Sequence, residues 1–79
     1  MQEEIHEATE LIEMIREDPD CSKRLKENLK NISKNLLGEE DLKIQKGIHA
    51  IEELDLQGIS SYIRSQLWEL ISLLESLSS

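Results

Sequence analysis

Residues 59–77 hold the feature that most restricts how this chain can fold. Wound as a helix, Ile59, Ile63, Leu67, Leu70, Ile71, Leu74 and Leu77 share one face, with Leu73 beyond one edge and Trp68 beyond the other. The apolar arc spans about half the circumference, wider than the ~100° stripe that a one-sided helix needs. Only Ser65, Glu69, Ser72 and Ser76 make a clearly polar strip. Such a helix has to be covered on more than one side, which requires other helices and invites a partner.

The rest of the chain supplies the covering helices. Over about residues 3–17 the apolar positions Ile5, Ala8, Ile12 and Ile15 recur at three-four spacing, flanked by Leu11; that period specifies an amphipathic helix. Glu3, Glu7, Glu10, Glu13 and Glu17 line the opposite face, and Asp18-Pro19-Asp20 stops the helix because proline disfavours helical backbone at the residue before it. A second helix over about residues 22–37 buries Leu25, Leu29, Ile32 and Leu36, with Asp20 or Ser22 as its cap. Opposite that seam run Lys23, Lys26, Lys30 and Lys34, and Gly38 follows as the expected left-handed terminator. A third helix, about residues 39–56, opens on the acidic turn Glu39-Glu40-Asp41 and packs with Ile44, Ile48, Ile51 and Leu54. Gly47 on or beside that face forgoes ~1 kcal/mol of helix propensity, which is reasonable where a neighbouring helix must come close. Gln57-Gly58 ends the third helix, and Ser60 or Ser61 caps the fourth, about residues 60–77.

The two halves look alike. A shift of 39 residues lays Ile5, Ala8, Ile12, Glu13 and Ile15 on Ile44, Gly47, Ile51, Glu52 and Leu54, and a shift of 38 lays Ser22, Leu25, Lys26, Leu29 and Leu36 on Ser60, Ile63, Arg64, Leu67 and Leu74. Short turns make consecutive helices antiparallel neighbours, so the expected fold is all-α: a single-domain, up-and-down, antiparallel four-helix bundle built from two similar hairpins. Two stacked repeats are the variant.

Several of these residues also carry a resemblance. Asp18-Pro19 before the second helix, Gly38-Glu39-Glu40 at the middle, and Arg64-Ser65-Gln66-Leu67-Trp68 with Leu70-Ile71-Ser72-Leu73-Leu74-Glu75 behind it are the points of contact. In these the chain resembles a small archaeal family of uncharacterised four-helix-bundle proteins. The resemblance implies an all-helical fold and brings no catalytic residues. The chain departs from the pattern where the family tends to have a second Asp-Pro and prolines at helix starts; Asp55-Leu56-Gln57-Gly58, Ser22 and Ser60 stand there instead.

Composition narrows the chemistry. The net charge of −8 disfavours non-specific nucleic-acid binding, which depends on neutralising phosphates. Cys21 is the single cysteine, so neither an intramolecular disulfide nor a cysteine-based zinc site is expected; it reads as a small buried thiol near a helix start. No secretory signal opens the sequence and no apolar run approaches the ~20 residues of a membrane span, so a cytoplasmic location is the expectation. Glu3-x-x-His6 has the spacing of a di-metal carboxylate motif once, but Lys46 stands where the second copy, before His49, needs a glutamate. No glycine-rich phosphate loop is present, and no glutamate has the buried setting that general acid catalysis needs. The expectation is therefore a non-enzymatic protein with no cofactor and no metal.

A contact function remains. Folding buries roughly 8,000 Å², and with ~60% of that apolar it returns ~120 kcal/mol at ~25 cal/mol/Å², against ~120 kcal/mol for ordering the chain. Stability as a monomer is thin, and burial against a second copy would add to it. The expected function is a protein–protein interaction module that self-associates, as a dimer, through the fourth helix. Trp68, Ile71, Leu73, Leu77, Leu56 and Leu37 are the candidate interface. The alternative is an RNA- or nucleoprotein-associated accessory using Lys23, Lys26, Lys30 and Lys34, against which stands the lack of interleaved aromatics.

Overall fold

The computed structural model describes residues 2–39 and 41–78. Within them the apolar periods wind into α1 (Gln2–Arg16), α2 (Lys23–Leu37), α3 (Lys43–Glu52) and α4 (Ser61–Ser78). Each helix packs on its two neighbours in a ring, α4 closing back onto α1, and among the described residues neither diagonal pair is in backbone contact. Stacked repeats would have set α1 on α3 and α2 on α4. The ring is an up-and-down four-helix bundle, about 32 Å along its longest axis.

The caps follow from local chemistry. Ser22 Oγ accepts the Leu25 N–H at 3.1 Å, and Ser60 Oγ accepts the Ile63 N–H at 3.2 Å. Asp20 plays no capping part: its N–H donates to Asp18 Oδ1 at 2.8 Å in the turn around Pro19. Ser22 and Ser60 thus do the same work at matching places in the two hairpins. Most of the aligned apolar residues correspond too: Leu25 with Ile63, Leu29 with Leu67 and Leu36 with Leu74 are all buried, as are Ile5 with Ile44, Ala8 with Gly47 and Ile12 with Ile51, whereas Ile15 is buried in α1 and its counterpart Leu54 is half-buried in the connection after α3.

The turns around α3 differ from expectation. Gly38 is extended (φ −78°, ψ −175°), and the left-handed residue is Leu42 (φ 61°, ψ 24°). Reversal between α2 and α3 takes up the chain from Gly38 to Leu42, so Glu39 and Asp41 lie in the connection instead of opening the helix; Glu40 lies outside the described residues. Lys43 Nζ ties the turn by donating to the Gly38 carbonyl at 2.7 Å. At its other end α3 stops at Glu52, short of Leu56. Asp55 Oδ1 accepts the Gln57 N–H at 3.1 Å, a local bond that competes with helical backbone, and Gly58 is left-handed at φ 77°. Leu54, Leu56 and Ile59 fold inward from this connection and pack, half-buried, on the core.

Gly47 has a steric role. A Cβ built there would stand 3.2 Å from Leu36 Cδ2 and 3.8 Å from Leu74 Cδ1, and both leucines are fully buried. Gly47→Val should therefore destabilise the fold by about 2 kcal/mol through overpacking, read by urea unfolding. Leu42→Gly should raise stability by about 0.5–1 kcal/mol in the same assay, because Leu42 is exposed and its left-handed backbone is strained.

Candidate interaction surfaces

On α4 the residues Ile63, Leu67, Leu70 and Leu74 are buried, while Ile71, Leu73 and Leu77 are half-buried against the core. In-chain packing absorbs most of the broad apolar arc. Trp68 is the exception, with 60% of its surface exposed. At 100° per residue Trp68 stands about 130° round the axis from the centre of the buried seam, Ile71 lies between, and Leu73 is about 90° round the other way. Trp68 and Ile71 therefore share a flank that Leu73 does not. Leu56 packs on the core from the α3–α4 connection. Leu37 is exposed and lines, with Met14, a shallow groove between α1 and α2.

Three further exposed side chains escaped sequence reasoning: Met14, Leu42 and Tyr62. Met14 falls outside the α1 apolar period and among its glutamates, so a search for helical stripes passes over it. Leu42 falls within the span that the sequence suggests for the third helix, but its left-handed backbone sets it just before α3. Tyr62 lies on the polar side of α4, beside Glu69 in helical projection.

The lysine stripe is a ridge on α2, with Lys23, Lys30 and Lys34 exposed and Lys26 half-buried. Among the described residues no carboxylate comes within ion-pair distance of these four lysines. The histidines are engaged locally: His6 Nε2 lies 2.8 Å from Glu10 Oε1, and His49 Nε2 lies 3.3 Å from Glu53 Oε1, both exposed pairs of little energetic weight. Among the described residues no three of His, Cys, Asp and Glu converge as metal ligands, and no helix is long and apolar enough to cross a membrane.

A cleft of about 490 Å³ runs between α2 and the end of α3 with its following connection. Asn28, Asn31 and Asn35 edge it from α2, Ala50, Leu54 and Ile59 border it from the α3 side, and Asp20, Arg24, Glu53 and Asp55 are also in its lining.

With this geometry in hand, comparison with known proteins adds no constraint: no family model, curated protein or solved structure matches the chain.

Cys21 is buried between α1 and α2, and its N–H donates to the Asp18 carbonyl at 3.0 Å. Burial pushes the thiol pKa up; Lys26 opposes the shift, Asp18 adds to it and Arg16 opposes it. The thiol is thus the reverse of an activated nucleophile. The unfolded chain begins to lose this proton near pH ~8.5 while the folded chain retains it. The stabilisation is complete below that pH and is lost as pH rises through the folded-state value. In urea unfolding across alkaline pH, the stability advantage of the wild type over Cys21→Ala should shrink.

Proposed function

We propose that this chain is a non-enzymatic interaction module that pairs with a second copy of itself through α4, with Trp68 at the centre of the contact. The observation that carries the reading is the exposure of Trp68 on a helix whose large aliphatic side chains are packed against the core. An indole offers about 150–250 Å² for burial, and tryptophan is enriched among the few residues that dominate binding energy. In a two-fold contact the same patch meets itself, so Trp68 of each copy lies near the axis and Ile71 borders it. A stable pair commonly buries ~800 Å² per partner, about 15% of the 5424 Å² surface of one copy. The contact therefore extends from Trp68 along the exposed side of α4.

One observation favours a second reading, an RNA- or nucleoprotein-associated accessory: the α2 lysines have no carboxylate partner among the described residues. The charge of −8 weighs against it.

Light scattering from low micromolar to near-millimolar concentration separates the two. The first reading predicts a rise from monomer to dimer mass, with Trp68→Ala weakening association tenfold or more, about 1.4 kcal/mol. Charge reversals on α2 should change it far less. A mass that stays monomeric throughout, with salt-sensitive binding of single-stranded RNA lost in Lys26→Glu with Lys30→Glu, would replace the first reading with the second.

A further inference from the structure

Three asparagines occupy one flank of α2 at spacings of three and four residues, Asn28, Asn31 and Asn35, and all of them edge the cleft. Among the described residues none of their side-chain amides is engaged by another group of the chain. Asparagine is a poor choice for a helix interior, because its amide competes with the backbone and is favoured at caps and turns. Here none of the three caps a helix or bonds its own backbone, so the helix carries their unfavourable propensity without a structural return. Departures from local rules of this kind concentrate at functional sites.

An amide side chain presents a donor and an acceptor together, the same pair that a peptide unit offers in return. The rise along α2 separates Asn28 from Asn31 by ~4.5 Å and Asn31 from Asn35 by ~6 Å. An extended chain repeats groups on one side every ~6.7 Å and advances ~10 Å in three residues. Asn31 and Asn35 therefore match one two-residue step along a peptide edge, and Asn28 lengthens the amide row to ~10.5 Å. Beside the amides lie Ile32, buried, and Leu54, half-buried, which give the cleft an apolar floor for an alternate side chain. At the end near the α3–α4 connection, Asp20, Glu53 and Asp55 outnumber Arg24, leaving that end net negative.

We propose that this cleft binds the backbone of an extended segment of another protein through Asn28, Asn31 and Asn35, with a lysine or arginine of that segment held at the acidic end. The carboxylates favour a basic peptide over a phosphate backbone, and the row of amides favours peptide units over a flat hydrophobic partner. The site lies on α2 and α3, and α2 is diagonal to the Trp68 helix, so it stands or falls independently of self-association.

Selection from a random dodecapeptide display library on the wild-type chain tests the proposal. The expected result is enrichment of peptides carrying a lysine or arginine. Their affinity should fall tenfold or more on Asn31→Ala with Asn35→Ala, and as much when the peptide's own backbone amides are N-methylated. Trp68→Ala should leave it unchanged. Both asparagines are exposed and alanine is the better helix former, so circular dichroism should show the double variant folded. The proposal is overturned if no peptide is enriched, if the recovered peptides bind the double variant or tolerate N-methylation equally well, or if the cleft is instead occupied by single-stranded RNA or by a second copy of the chain.

Discussion

The bundle converges on Gly47, where the absent side chain leaves room for Leu36 of α2 and Leu74 of α4. Both leucines are fully buried. A larger residue would push α3 outward and part it from both neighbours at once. The fold accepts the propensity cost of a mid-helix glycine in exchange for close packing where three helices meet. The corresponding place in the first hairpin holds Ala8, fully buried and also small.

The shortness of α3 shapes the surface. Its ten residues span ~15 Å, against 15 residues in α2 and 18 in α4. The connection to α4 completes that side by folding Leu54, Leu56 and Ile59 onto the core. A connection covers a neighbouring helix less evenly than another helical turn would, and the cleft beside the α2 asparagines lies there. On α4 the balance differs. Its broad apolar arc is shared between two flanking helices and this connection, which leaves Trp68 outside.

The helical seams were legible in the sequence because burial imposes the 3.6-residue period directly. Leu25, Leu29, Ile32 and Leu36 are all buried as their spacing indicates, and Ser22 and Ser60 cap as their chemistry allows. The turns were less legible because several residues satisfy the same local rule. Gly38 has the identity of a left-handed terminator, but the reversal places that conformation at Leu42, which has no propensity for it. Leu54 keeps the apolar period of α3 yet sits in the connection, its burial satisfied without helical backbone. On the surface, the position of Trp68 off the buried seam is legible from its register, whereas the asparagine row carries no apolar period and is set apart only by the cleft beside the short α3.

Trp68 lies outside its own core, and we propose that a second copy covers it. Trp68 is the only tryptophan in the chain, so its quenching by acrylamide can be followed without ambiguity from dilute to concentrated protein. Ready quenching and water-like emission are expected in dilute solution, with protection and a blue shift as the copies associate. Protection already complete at the lowest concentration, where the chain is monomeric, would place Trp68 in its own core and contradict the account.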